Sequence, residues 1–150
     1  VSEGPTLTPA ELVGSWALRR WELTLDDGAV EEPFGREPEG LLVYTPEGRM
    51  ITTIGHRERP ATGPDLVSLD DGARLAAIRS FIAYSGTFAI EDGEVVHDVA
   101  MSLEPSWVGS RQRRHVELSD DGRTLVLSTD PQVAVGRRGR HRLTWERATG

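Results

Sequence analysis

Between closely spaced turn signals, the chain alternates apolar and polar residues in short runs rich in Val, Ile, Leu and aromatics. That period of two is the mark of antiparallel strands with one buried face. Eight such runs are predicted. The first, near residues 16 to 25, follows a helical turn that Thr8 can cap, with Pro9 at the first helical position and Glu11 placed for a capping box. A Pro-, Gly- and Glu-rich loop leads to strands near 41 to 45 and 50 to 56, joined by a Thr-Pro-Glu-Gly turn with Gly48 in the left-handed position. Between the third and fourth strands, Leu75, Ile78 and Ile82 recur at helical spacing. They predict one helix, starting near Ser68 or Asp70, ending before Tyr84, and lying against the body of the fold or over its mouth.

Two Asp-Gly dipeptides fix the strand registers, because both residues of a tight hairpin turn need positive φ. Counting back from Asp92-Gly93 pairs Ile90 with Val95, Phe88 with His97, Gly86 with Val99 and Tyr84 with Met101, all on one face. The opposite face carries smaller and more polar residues, so the first face is the inner one. Asp121-Gly122 pairs Leu118 with Leu125, Val116 with Leu127 and Arg114 with Thr129, which brings Gln112 and Arg114 inside. In the last strand Leu143 and Trp145 mark the inner face, and His141 shares it. The phase of the first strand is open. Either Trp16, Leu18, Arg20 and Glu22 point inward, or Trp21, Leu23 and Leu25 do.

Short antiparallel strands joined mostly by hairpins must hide their edges, so closure into an eight-stranded up-and-down β-barrel is expected, with a two-sheet sandwich as the alternative. A barrel of eight strands is filled by its side chains or holds one small ligand. The 150 residues suffice for one domain, spanning 1 to 150, with a core of its own.

Composition narrows the chemistry. There is no cysteine, which removes disulfides and thiolate chemistry and suits a reducing, cytoplasmic setting. All 17 basic residues are arginine, so lysine imine chemistry is excluded. A net charge of −7 argues against nucleic acid, and strand alternation splits the clusters RQRRH (111–115) and RRGRHR (137–142) between two faces. No run is long enough for a membrane helix, and the N-terminal segment lacks a signal peptide's apolar core. No nucleophile elbow, phosphate-binding loop, dinucleotide fingerprint or metal-ligand spacing occurs, so neither cofactor nor metal is expected, although His97 and His141 could meet across the barrel.

Several pieces in order, LVGSW (12–16), PFG with a following Pro-x-Gly, LLVYTPEGRM, IAYSGTF, LEPSWVG and LTWERA, resemble the lipocalin-like domain family of bacteria and fungi along nearly the whole chain. The resemblance implies the barrel. It also implies a role among carriers of apolar small molecules or cofactor-free enzymes that cyclise or isomerise natural-product intermediates, some of them by cycloaddition on polyketide chains.

The candidate catalytic residues are His97, Arg114 and Tyr84. His97 stands on an otherwise apolar wall and either exchanges a proton with a ligand or is a core histidine bonded to a neighbour such as Tyr84. An inward Arg114 requires a carboxylate, with Glu22 as the candidate, or else cavity water or an anionic or carbonyl-bearing ligand. Trp16, Tyr44, Met50, Phe88, Val99 and Met101 are the candidate apolar wall, and Gln112, His141 and Trp145 add to it. Trp107, in the connection after the fifth strand, must cap the barrel or gate it. The expected activity is cofactor-independent cyclisation or isomerisation of a bulky apolar molecule, with a non-catalytic carrier as the alternative. Homo-oligomerisation is left open.

Overall fold

Every predicted run forms a strand, and two short strands join them. The computed structural model describes residues 6–59, 63 and 65–148; the first five residues of the N-terminal segment lie outside it. In chain order the elements are α1 (Pro9–Leu12), β1 (Gly14–Thr24), β2 (Val30–Glu31), β3 (Glu39–Tyr44), β4 (Arg49–Gly55), α2 (Asp71–Arg79), β5 (Phe81–Glu91), β6 (Glu94–Ser102), β7 (Arg111–Leu118), β8 (Thr124–Ser128), β9 (Gln132–Ala134) and β10 (Arg137–Arg147). Neighbours pair antiparallel in the order β1-β3-β4-β5-β6-β7-β8-β10, and β10 pairs back onto β1, so eight strands close a barrel. Strands β2 and β9 are appendages to β1 and β10. At the first helical turn, the Glu11 carboxylate accepts from the Thr8 N–H at 3.2 Å.

The Asp92-Gly93 turn has φ of 53° and 77°, as a two-residue hairpin requires. Ile90 faces Val95, Phe88 faces His97 and Gly86 faces Val99, as the sequence predicts. One step further the prediction fails. Ala100 is an extra residue on β6, so Ser85 rather than Tyr84 lies opposite Met101, and Tyr84 lies opposite Ser102. A bulge reverses the side-chain phase on its own strand. Met101 therefore points outward, 69% exposed, and is removed from the apolar wall, whereas Tyr84 stays inside and buried. Strand β1 resolves its two phases in the same way. Arg19 is extra relative to β10, so Trp16 and Leu18 point inward before it and Trp21 and Leu23 after it.

The barrel core is closed by large side chains: Trp16, Trp21, Trp145, Tyr44 and Leu42 are all almost wholly buried. Burying an indole of this size supplies about 4 to 6 kcal/mol of gross transfer free energy. At one end Trp16 donates to the Leu12 carbonyl (2.9 Å), and the Arg147 guanidinium stacks over its ring at 4.2 Å. Arg147 also donates to the carbonyls of Val13 (2.8 Å) and Glu11 (2.9 Å), which seals this end with α1.

Helix α2 is shorter than its apolar spacing implies. Asp70 caps it by accepting from the Ala73 N–H (2.8 Å), but it stops at Arg79, and Ile82 belongs to β5. Strand pairing of Phe81 with Gly55 outcompetes another helical turn. None of its residues is buried, and Leu75 and Ile78 are about half exposed. The helix stands at the open mouth of the barrel, where Ile78 and Arg79 line a cleft.

Candidate functional site

Alternation along β5, β6 and β7 brings Tyr84, His97 and Arg114 into one place behind the mouth. With Trp107, His141 and Trp145 they line an inner cavity of about 50 Å³. The cavity continues a larger cleft of about 380 Å³ between α2, the turn Pro105–Trp107 and β9. Ile82, Trp107 and Ala134 face both spaces and form the partition between them. Trp107 is half-buried and stands edge-on to Tyr84, with ring centroids 5.8 Å apart.

His97 is 1% exposed and has a tyrosine on each ring nitrogen, Tyr44 Oη at 2.6 Å from Nε2 and Tyr84 Oη at 2.7 Å from Nδ1. Burial, reinforced by the Arg114 charge, pushes its pKa down to about 3, so the imidazole is neutral. A neutral imidazole has one donor and one acceptor. Tyr44 is enclosed beside Phe88 and has His97 as its hydrogen-bond partner. Donation from Tyr44 to Nε2 leaves no buried hydroxyl proton unpaired there, so the network assigns the proton of His97 to Nδ1, which donates to Tyr84. The Tyr84 hydroxyl proton is then free to enter the cavity. Burial raises both tyrosine pKa values, and Arg114 opposes the rise at each.

His141 is committed differently. Its Nδ1 accepts from the Trp21 indole at 3.0 Å, which puts the ring proton on Nε2, 3.2 Å from the Gln132 carbonyl. Both histidines line the cavity with every ring nitrogen occupied, and among the described residues no three metal-ligating side chains come together.

Arg114 is half-buried, and the carboxylate expected for it is elsewhere. The β1 bulge turns Glu22 to the outer side, 3.9 Å from Arg20. Arg114 instead donates to its neighbour's carbonyl, Arg113 O, at 2.9 Å, and approaches Gln112 Oε1 at 3.5 Å. The outward arginines of the same strand behave otherwise: Arg111 pairs with Glu91 and Asp98, and Arg113 with Glu91 and Glu94.

The remaining predicted wall residues do not reach the cavity. Trp16, Tyr44, Met50, Phe88 and Val99 are inside the barrel and fill it beyond the Tyr44–His97 bond, and Gln112 bonds to Ser110. Sequence reasoning missed Trp21, Thr52, Ile54 and Ile82, which line the cavity. Alternation from Met50 gives Thr52 and Ile54; Trp21 is hidden by the β1 bulge.

No helix among the described residues is long and apolar enough to cross a membrane. The chain is 36% identical to the 4'-hydroxy-3'-methoxypropiophenone carrier protein ppsC of Aspergillus oryzae, in a match spanning 59% of this chain and 90% of that protein. A solved siderocalin, Ex-FABP, which functions through dual ligand specificities, aligns over 92% of this chain and 71% of its own at 14% identity and a TM-score of 0.40, too loose a likeness to add to the strand topology. The pattern of the lipocalin-like domain matches residues 13–148, so the chain belongs to the lipocalin-like domain family.

Proposed function

We propose that this protein binds a compact, flat, carbonyl- or hydroxyl-bearing small molecule, with the polar end in the inner cavity and the body in the outer cleft. The observation that carries this reading is Arg114, an inward guanidinium with no carboxylate partner among the described residues, set beside Tyr84 in the lining of the inner cavity. Such a charge is costly to leave unpaired and well placed to meet a ligand oxygen. The match to a protein named as the carrier of an aryl ketone supports the carrier form of the reading. The inner cavity alone admits little more than water, so entry requires Trp107 to swing out of the partition.

A second reading, cofactor-free cyclisation or isomerisation, is favoured by the Tyr84 hydroxyl, which His97 orients and which can donate a hydrogen bond to a bound carbonyl. Calorimetric titration with a panel of aryl ketones and polyketide-like compounds, followed by recovery and analysis of the bound molecule, separates the two. Saturable one-to-one binding with unchanged recovery is expected for the carrier, and altered connectivity establishes the enzyme. Absence of binding across the panel would overturn both.

Trp107→Ala opens the partition and is expected to raise the association rate for the same ligands about tenfold, read by stopped-flow indole fluorescence. An unchanged rate would remove Trp107 as the gate.

A further inference from the structure

Resting on the binding reading above, we propose that the cavity takes its ligand as an oxyanion: a weakly acidic phenol or enol, held as the delocalised phenolate or enolate. His97 and His141 have no free lone pair, since tyrosine and tryptophan donors occupy them. Thr52 donates its hydroxyl to the Leu41 carbonyl (3.0 Å), and the Thr129 hydroxyl oxygen accepts from the His141 N–H (3.1 Å). Apart from Gln132, whose side-chain amide can both donate and accept, what is left uncommitted is donors. Tyr84 offers its hydroxyl proton, Arg114 offers the N–H groups beyond its two contacts, and the Trp145 indole N–H is buried with no acceptor at all. Trp145 is 2% exposed and lines the same cavity.

A buried N–H without an acceptor is rare in a folded protein and calls for a missing partner. Here the Tyr84 and Arg114 donors line a space that holds no carboxylate among the described residues, and Trp145, with its indole N–H buried, stands in the same wall. The charged and titratable groups facing Arg114 across the barrel are Tyr44 on β3, Tyr84 on β5, His97 on β6 and His141 on β10. None carries charge at neutral pH, since burial lowers both histidines and raises both tyrosines. Among the described residues that line the cavity, Arg114 is therefore the one charged group, in an acidic protein. An anion neutralises it, and a delocalised oxyanion loses less hydration on entering apolar walls than a carboxylate does.

The test uses 4'-hydroxyacetophenone, its methyl ether and benzoate as probes with the intact protein. The phenol and phenolate forms of the first absorb at different wavelengths, so its ionisation can be read while bound. The phenolate band is expected to dominate in the complex at least one pH unit below where the free compound ionises, which is a tenfold or greater preference for the anion. The methyl ether, which cannot ionise, is expected to bind at least tenfold more weakly. Arg114→Met returns the ionisation to its value in water, and Trp145→Phe moves it part of the way. A neutral-phenol spectrum in the complex, or equal affinity for the ether, overturns the proposal and leaves the binding reading standing. Tighter binding of benzoate overturns the ligand class. Failure of all three probes to bind overturns the binding reading and this inference together. If Arg114→Met does not fold, the spectrum of the wild-type complex decides alone.

Discussion

Gly86→Ala is expected to lower the midpoint of thermal unfolding by about 10 °C, corresponding to a loss of about 3 kcal/mol in a domain of this size. A methyl group on Gly86 would stand 1.8 Å from the Asp98 carbonyl oxygen and 3.0 Å from the Ala100 amide nitrogen. Both are backbone atoms at the β6 bulge, so no rotamer change relieves the clash. The strand pair must either part or lose the bulge, and losing it would turn Met101 inward against the tyrosines. Gly72→Ala is the contrasting substitution. It sits in α2 with ordinary van der Waals contact, Asp70 Oδ1 at 3.5 Å, and is expected to raise the midpoint slightly through helix propensity. Scanning calorimetry of both variants checks this, and a Gly86→Ala midpoint within 2 °C of the wild type would show that the bulge accommodates a side chain.

Stability is expected to fall by about 2 kcal/mol between pH 7 and pH 5, above the range where carboxylates ordinarily titrate. The cause is His97. Its folded pKa is depressed from 6.5 to about 3, so between these values the unfolded chain takes up a proton that the folded one refuses. The stabilisation it confers is complete above 6.5 and is lost progressively as the pH falls toward 3. His141, also depressed by burial, acts in the same direction. Exposed Asp121 and Asp130, held low by Ser119 and His115 respectively, add their losses only at more acid pH. Urea unfolding at pH 7, 6 and 5 measures the slope. In His97→Phe the absolute stability drops, because Tyr44 and Tyr84 lose their shared partner, while much of the slope between pH 7 and 5 disappears. A wild-type stability that is flat over this interval would mean that His97 protonates in place.

The legible and illegible parts of the site have a common physical origin. At Asp92-Gly93 a turn with positive φ at both residues announces itself, and a period of two carries the phase along β5 and up to the bulge on β6, so Tyr84 and His97 are inside as read. At Asp121-Gly122 only the glycine has positive φ, but the register is the predicted one and Arg114 is inside too. A bulge inserts one residue with little composition of its own. The β1 bulge falls at Arg19, between Leu18 and Arg20, and leaves no mark, and its effect is to turn Glu22 away and leave Arg114 without the carboxylate expected for it. The β6 bulge did leave one, a glycine in the middle of the facing strand, since interior strand glycines mark close backbone approach. Depth is the other hidden coordinate. Alternation says that Met50, Phe88 and Val99 face inward, but strand tilt decides that they fill the sealed end while Trp21, Ile82 and Trp145 meet the cavity.

The seam between β1 and β10 also governs the order of assembly. These strands are separated by most of the sequence, yet each satisfies the other's edge, and the Arg147 guanidinium fastens the seam to Glu11 and Val13. Hairpins β3–β4, β5–β6 and β7–β8 can form as they leave the ribosome, because each pairs within a short stretch of chain. The barrel wall cannot close until residue 147 has been made. Until then β1 presents an open edge, and the chamber that would receive a ligand does not yet exist, so loading can begin only after synthesis has passed this point.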